Sequence, residues 1–251
     1  MLWHIQGPGS LGCLWAARFA AAQQPVRLIV RNPDALARYQ QVGVVRLSDA
    51  NLQQTQSYPI NAQLPAHSEP ISHLLLTCKA YDATAAIAQV AHRLNQDSLV
   101  VLLQNGLGSQ QAVQALVPDT CCIVASSTEG AYLTEPFHSV FAGQGEIWLG
   151  SLDSKPEPEG LINNCHSAQI PCAWTTAIDT TLWRKLAINC AINPLTVILD
   201  CNNGALIAHA NLINTLCAEL QSLLKAAQHQ AAAQDLQQHV WQVIEKTAAN
   251  S

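Results

Sequence analysis

Trp3-His4-Ile5-Gln6-Gly7-Pro8-Gly9-Ser10-Leu11-Gly12 is the stretch of this chain that decides its fold. A short apolar segment runs into a Gly-x-Gly-x-x-Gly pattern, and a helix-like segment follows it. In that context the first glycine allows a tight turn, the second lets the backbone approach a pyrophosphate, and the third lets the helix pack closely on the strand. The helix N-terminus adds unpaired N–H groups and partial positive charge. We predict a dinucleotide site formed by Gly7, Pro8, Gly9, Ser10, Leu11 and Gly12; the alternative is a glycine-rich turn that binds nothing.

Further apolar segments recur along the first half of the chain, separated by helical patterns and turn residues. The predicted strands are residues 2–5, 26–30, 73–78, 98–103 and 121–125. Strands that alternate with helices indicate an α/β fold with a parallel, doubly wound sheet of the Rossmann type. Residues 136–150, with Gly143-Gln144-Gly145 at their centre, predict an antiparallel hairpin appended to that sheet. Residues 155–160 predict a loop.

The last part of the chain has a different pattern. From Asp179 onward Ala, Leu and Gln dominate and almost no segment resembles a strand, which predicts an all-α second domain. We therefore expect a cofactor-binding domain over residues 1–176 and a helical domain for substrate binding and catalysis over residues 177–251.

Composition excludes several classes of protein. Of 251 residues, 49% are hydrophobic and 12% charged, which argues against disorder, and a net charge of −5 without a basic run argues against nucleic-acid binding. Nine cysteines, an odd number spread through the chain, indicate a reduced, cytoplasmic protein in which they serve as core thiols rather than metal ligands. No apolar stretch approaches the roughly 18 residues of a membrane span. We expect neither a metal nor a membrane partner.

The end of the second predicted strand indicates which nicotinamide cofactor is bound. Leu28-Ile29-Val30 is followed by Arg31-Asn32-Pro33, and the first carboxylate after it is Asp34. An acidic residue there would accept a bond from the ribose 2′-OH, whereas a basic one binds a 2′-phosphate. Arg31 therefore favours NADP(H) over NAD(H), and a solvated surface arginine is the alternative.

Two further residues follow predicted strands. Lys79 comes after the third strand and Asn105 after the fourth. In open α/β sheets ligands bind at the carboxyl ends of the strands, so both residues are expected to meet cofactor or substrate. Position rather than residue type supports this expectation, because Asn-Gly is also a common turn and a lone lysine is common in loops.

Lys185, Asn189 and Asn193 are spaced four residues apart in a helical pattern. They span only about 80° of the helix circumference at 100° per residue. Leu182, Leu186, Ile188 and Ile192 flank them, so we expect three polar groups embedded in an apolar surface. A buried lysine without a carboxylate partner is costly, which points to a ligand or a catalytic proton. In the alternative, the lysine reaches solvent and the asparagines bond to neighbouring helices.

The chain resembles the ketopantoate reductase (2-dehydropantoate 2-reductase) family over essentially its whole length. The matching segments are residues 7–12, Arg31, residues 74–79, Asn105-Gly106-Leu107-Gly108, residues 182–186, Asn189, Asn193-Pro194-Leu195-Thr196 and Asn203-Gly204. The Lys-x-x-x-Asn-x-x-x-Asn-Pro-Leu-Thr string is the specific part.

The resemblance implies NADPH-dependent reduction of the 2-oxo acid ketopantoate to pantoate in pantothenate and coenzyme A biosynthesis. Lys185 resembles the general acid, and Asn105 the residue at the junction of nicotinamide and substrate. Asn189, Asn193 and Asn203 resemble the substrate-binding residues, while Arg31 and Lys79 resemble cofactor phosphate contacts. The resemblance leaves the assembly state open, with a homodimer as one candidate.

The resemblance also carries an expectation about the end of the chain. Members of the family continue past the segment that residues 243–250 resemble, into helix that carries a serine and a glutamate of the site. Ser251 lies close to that serine, and the glutamate has no counterpart. A shortened reductase is therefore expected to bind NADPH but to reduce ketopantoate poorly. The alternatives are a non-catalytic NADP-binding module and a reductase of another 2-oxo acid.

Overall fold

The computed structural model describes residues 1–248 and divides into two compact units. The first unit spans Met1–Ile178, and the second begins at Asp179. The sequence places its boundary between residues 176 and 177, and the roles assigned to the two domains stay predictions.

An eight-stranded sheet forms the centre of the first unit. Its spatial order is β12 (Cys172–Trp174), β11 (Ile147–Gly150), β8 (Cys121–Ser127), β7 (Leu99–Leu102), β6 (His73–Leu76), β1 (Trp3–Gln6), β2 (Val26–Ile29) and β5 (Asn61–Gln63). Neighbouring strands are parallel except β8 and β11, which are antiparallel. All five predicted strands are present, and their ends differ from the prediction by at most two residues. The predicted α/β fold with a parallel central sheet is confirmed.

Helices connect the strands and supply the layers that pack on the sheet. They are α1 (Ser10–Ala21), α2 (Pro33–Val42), α3 (Ala83–Val90), α4 (Ser109–Leu116) and α5 (Leu161–Ser167). The side chain of Asn32 caps α2 by accepting a bond from Ala35 N at 2.9 Å. Trp3 of β1 stacks on Phe19 of α1 with ring centroids 5.0 Å apart, and both side chains are fully buried. This contact fixes α1 directly behind the strand that precedes the glycine loop.

A second, four-stranded sheet corrects the predicted hairpin. Its order is β4 (Thr55–Tyr58), β3 (Val45–Ser48), β10 (His138–Gly143) and β9 (Gly130–Glu135). The prediction that residues 136–150 form one hairpin is wrong, because β10 joins this sheet while β11 pairs with β8 of the main sheet. Between them the chain passes close to the β8–β9 connection, where a Cβ on Gly145 would lie 2.3 Å from the carbonyl carbon of Thr128. Gly145 therefore allows the close approach of a segment that crosses between the two sheets, where the sequence predicted a hairpin turn.

The described residues of the second unit form helices joined by short turns and contain no strand, as predicted. It contains α6 (Ile178–Leu199), a 3-10 segment (Asn203–His209), α7 (Ala210–Ala226), α8 (Gln230–Ala233) and α9 (Leu236–Lys246). Leu236, Val240 and Ile244 form a buried stripe on α9 at four-residue spacing, which packs with residues of α6 and α7 into one core. The helix α6 continues through Pro194, whose nitrogen cannot donate to the carbonyl of Cys190.

Two further expectations concern membranes and thiols. Within residues 1–248 no helix is both long enough and apolar enough to span a bilayer.

The nine cysteines are free thiols, and most are buried or half-buried. Cys190 is exposed on α6, so the expectation of core thiols is wrong for that residue. Among the described residues no group of three His, Cys, Asp or Glu side chains could hold a metal ion.

Candidate active site

The glycine loop joins β1 to α1 in a conformation that depends on two of its glycines. Gly7 has φ +90°, and a Cβ there would lie 2.6 Å from Cys78 N. A Cβ on Gly12 would lie 2.6 Å from both Gly7 O and Thr77 Oγ1. The Thr77 hydroxyl donates to Gly7 O at 2.6 Å and ties the loop to the residue that follows β6. The tight turn predicted at Gly7 and the close packing predicted at Gly12 are therefore both observed.

The N-terminus of α1 has the features of an anion site. Gly9 is its N-cap residue, and in the part of the chain that the structure describes no side chain caps it and no acidic residue lies in its first turn. A Cβ on Gly9 would meet only Gly7 O, at 3.9 Å, so the space above this glycine is open. Open space, unpaired N–H groups and a positive helix end together fit the pyrophosphate of a dinucleotide.

Strand order places the other predicted cofactor residues at the carboxyl ends of the central strands, near the glycine loop. The central order is β7, β6, β1 and β2, so β6 and β2 lie on either side of the strand that leads into the glycine loop. Lys79 follows β6, Arg31 follows β2, and Asn105 follows β7. Their side chains are all exposed. The topology therefore places these three residues at carboxyl ends of neighbouring strands, and their contacts with a cofactor stay a prediction.

Two buried glutamines shape the loop that carries Asn105. Gln104 Nε2 donates to Leu76 O at 2.7 Å, and Gln110 Nε2 donates to Gly106 O at 3.0 Å. The Oε1 atoms of both glutamines are buried and have no hydrogen-bond partner among residues 1–248. Sequence reasoning missed both residues. A side-chain amide directly after an apolar strand could have indicated such a residue, because a polar group that is buried there needs a hydrogen-bond partner.

The polar face of α6 differs in part from its prediction. Lys185 and Asn189 are half-buried, but Asn193 is exposed, so the expectation that all three are embedded is wrong for Asn193. Each of these residues lies two positions, about 200°, from the buried face formed by Ala187 and Ala191. The polar face is therefore directed away from the core of its own unit. Burial lowers the pKa of Lys185 to about 8, from an ordinary value of 10.5.

The residues before Lys185 anchor α6 within its unit. The Trp183 ring stacks on His229 with centroids 4.1 Å apart, and His229 Nδ1 lies 3.4 Å from Asp179 Oδ2. Arg184 Nη2 donates to Ala231 O at 2.6 Å. These contacts hold the first turns of α6 against the start of α8, which fixes the rotation of the helix and hence the direction of Lys185. His229 is a residue that sequence reasoning missed, since its spacing from Trp183 gives no local signal.

The lowered pKa of Lys185 predicts how stability depends on pH. Between about pH 8 and 10.5 the unfolded chain holds the lysine proton more tightly than the folded chain, so wild-type stability rises with pH relative to Lys185→Met. The gain over this window is at most about 3.5 kcal/mol, because each tenfold difference in proton affinity between the two states contributes roughly 1.4 kcal/mol. Urea unfolding of both proteins across the window measures it. A constant difference between the two proteins would contradict a burial-lowered lysine.

Asn203 begins the 3-10 segment and is half-buried. Its Nδ2 donates to Thr247 Oγ1 at 2.7 Å, a contact between residues 44 positions apart. Thr247 is a further residue that sequence reasoning missed. Ser251, the residue placed near the family's serine, lies outside the described residues.

Comparison with known proteins decides the family. The family model described as ketopantoate reductase PanE/ApbA matches residues 3–154, and that described as its C terminal matches residues 177–251. The chain belongs to the ketopantoate reductase PanE/ApbA family. This confirms the resemblance inferred from the sequence and makes the chain a member of a family of pyridine-nucleotide-dependent oxidoreductases.

Curated relatives extend the family match over the whole chain. The 2-dehydropantoate 2-reductase of Vibrio cholerae serotype O1 is 30% identical over 251 residues, which cover 98% of this chain and 80% of the relative. The 2-dehydropantoate 2-reductase of Escherichia coli O157:H7 is 28% identical and covers 98% of this chain and 78% of the relative. The conclusion that the chain is an oxidoreductase rests on these relatives and on the family match.

Solved structures agree on the fold. A PanE/ApbA family ketopantoate reductase from Ralstonia eutropha JMP134 matches with a TM-score of 0.85 and 21% identity, covering 100% of this chain and 83% of that chain. A D-mandelate dehydrogenase determined with NADH and anilino(oxo)acetate matches with a TM-score of 0.83 and 17% identity, covering 96% and 79%. These likenesses support an α/β N-terminal domain followed by a helical one.

Proposed function

We propose that this chain catalyses the NADPH-dependent reduction of ketopantoate to pantoate, a step of pantothenate biosynthesis, with Lys185 as the general acid. The observation that carries the proposal is a half-buried lysine whose pKa is lowered to about 8 by burial, on the same helix face as two asparagines. Family membership and the curated relatives supply the reaction class.

The glycine loop and its neighbours are the proposed cofactor site. Main-chain N–H groups at the start of α1 would bind the pyrophosphate, and Gly9 leaves the space for it. Arg31 and Lys79, which follow the strands on either side of the loop, would bind the 2′-phosphate. When bound, reduced nicotinamide supplies a hydride to C2 of the substrate.

Lys185 then has a defined task. As the C2 carbonyl of the substrate becomes an alkoxide, the Lys185 ammonium stabilises the developing negative charge and transfers one proton from Nζ to the oxygen. The products are the 2-hydroxy acid and a neutral amine, which regains its proton from solvent. A pKa near 8 leaves most of the lysine protonated at neutral pH while making it a stronger acid than an exposed lysine.

The asparagines supply neutral polar contacts around this proton donor. Asn189 and Asn193 lie one and two turns along α6 from Lys185, and Asn203 begins the segment after that helix. Side-chain amides both donate and accept hydrogen bonds, so they can orient the carboxylate and hydroxyl of a hydroxylated 2-oxo acid. We propose these three residues as substrate contacts and Asn105 as the contact nearest the reacting carbon.

Gly9→Ala tests the cofactor site directly. The structure has room for the added methyl, so we expect an unchanged melting temperature, but the methyl would occupy the space proposed for the pyrophosphate. NADPH affinity is expected to fall roughly tenfold, as for the loss of a charge-assisted hydrogen bond. Fluorescence titration with NADPH measures it. Unchanged affinity would mean that the backbone at Gly9 does not approach the cofactor.

The proposed reaction is tested by following NADPH oxidation with and without ketopantoate. A ketopantoate-dependent loss of NADPH, with pantoate formed in equal amount, is the expected result. The control is a 2-oxo acid of similar size without the hydroxyl group. Faster turnover of that control would assign the chain to another 2-oxo acid, and NADPH binding without turnover of either acid would indicate a non-catalytic module.

A further inference from the structure

The contact of Asn203 with Thr247 has a defined donor and acceptor. Thr247 follows the last residue of α9, and its hydroxyl donates to Val243 O at 2.7 Å. Because the hydroxyl proton is used in that bond, Thr247 Oγ1 accepts the bond from Asn203 Nδ2. The amide of Asn203 can make this chain of bonds in only one of its two orientations.

The backbone holds the same two segments together. Gly204 N donates to Ala248 O at 3.0 Å, next to the side-chain contact. A Cβ on Gly204 would lie 2.7 Å from Ala248 O, so the approach requires glycine at this position. The end of α9 is thus joined to the Asn203-Gly204 pair by one side-chain bond and one main-chain bond, which keeps Thr247 in register with Asn203.

We propose that Thr247 is a positioning residue that sets the orientation of the Asn203 amide, and that Asn203 Oδ1 consequently accepts a hydrogen bond from the substrate's hydroxyl group. This rests on the proposed role of Asn203 as a substrate contact. With the nitrogen end of the amide turned to Thr247, the opposite end is the carbonyl oxygen, which only accepts hydrogen bonds. A hydroxyl group can donate to that oxygen, whereas the carboxylate and ketone of a 2-oxo acid cannot.

The test compares Thr247→Val, which removes the accepting oxygen at nearly constant volume, with Thr247→Ser, which keeps it. Thr215→Val is the matched control, because Thr215 also donates to the carbonyl four residues before it, Asn211 O at 2.9 Å, and is exposed on α7. We expect Thr247→Val to raise KM for ketopantoate roughly five- to tenfold, the effect of about one hydrogen bond, with kcat and NADPH affinity little changed. Thr247→Ser and Thr215→Val should resemble the wild type.

Comparing KM for two substrates distinguishes a positioning role of Thr247 from a general loss of structure in Thr247→Val. For a 2-oxo acid without a hydroxyl group, Thr247→Val should leave KM unchanged. An equal rise in KM for both acids, an equal effect of Thr215→Val, or a wild-type KM in Thr247→Val would overturn the proposal.

A ligand-free measurement distinguishes failure of this inference from failure of the proposed function. The side-chain amide signals of 15N-labelled Asn203 should shift in Thr247→Val and stay in place in Thr215→Val. If the wild type reduces no ketopantoate while these signals shift, the proposed function fails and the orienting contact stands. If the signals do not shift, the positioning role of Thr247 is wrong whatever the activity.

Discussion

Replacement of Lys185 by alanine is expected to slow the reduction of ketopantoate about 10²- to 10⁴-fold, the usual loss when a general acid is removed. NADPH affinity should stay at the wild-type value, because every proposed cofactor contact lies in residues 7–12, Arg31, Lys79 and Asn105. Steady-state turnover and an NADPH titration on the same preparation measure both quantities. Full turnover in Lys185→Ala would assign the lysine to packing instead of catalysis.

The pH profile shows whether Lys185 acts through its proton or only through its charge. The wild-type rate should be level below about pH 8 and then fall, since the lysine must be protonated to donate. Lys185→Arg keeps a positive charge but hardly releases a proton below about pH 12. We therefore expect the arginine variant to be slow and to show no decline near pH 8. An arginine variant as fast as the wild type would show that charge alone is sufficient.

Replacement of Arg31 by alanine is expected to weaken NADPH binding about 10- to 150-fold, equivalent to about 1.5 to 3 kcal/mol for a charge-assisted contact to the 2′-phosphate. NADH lacks that phosphate, so its affinity should be unchanged. Because the Arg31 side chain is exposed, its removal should leave the melting temperature at the wild-type value. Titration of both cofactors against wild type and variant measures the preference.

Arg38→Ala is the matched control for Arg31→Ala. Arg38 is also exposed, and it lies on α2, which begins two residues after Arg31. If both variants lose NADPH affinity equally, the effect comes from general positive charge and not from a contact at the end of β2. Equal affinity of the wild type for NADH and NADPH would contradict the predicted cofactor preference outright.

Local sequence patterns were sufficient for the elements that surround the glycine loop. Apolar segments of four to six residues with turn residues between them predict the parallel strands, and the glycine spacing predicts the strand, turn and helix that begin the chain. The sequence also predicts that Lys79 and Asn105 follow strand ends, whereas the strand order that puts Arg31 and Lys79 on either side of the loop comes from the structure. These predictions succeed because backbone conformation depends mainly on neighbours in the chain. The four-residue spacing of Lys185, Asn189 and Asn193 is likewise a property of sequence alone.

Tertiary structure decided what depends on distant partners. Residues 136–150 cross between two sheets instead of forming a hairpin because β10 pairs with β3 and β11 pairs with β8, and neither partner lies within residues 136–150. The exposure of Asn193 follows from which face of α6 its unit buries, and the lowered pKa of Lys185 follows from the burial of its side chain. The pairing of Asn203 with Thr247 joins residues that only the packing of α9 brings together. Pattern and spacing therefore determined which groups the chain possesses. Packing determined the burial and the orientation of each polar group, because burial and orientation are set by atoms remote in the sequence.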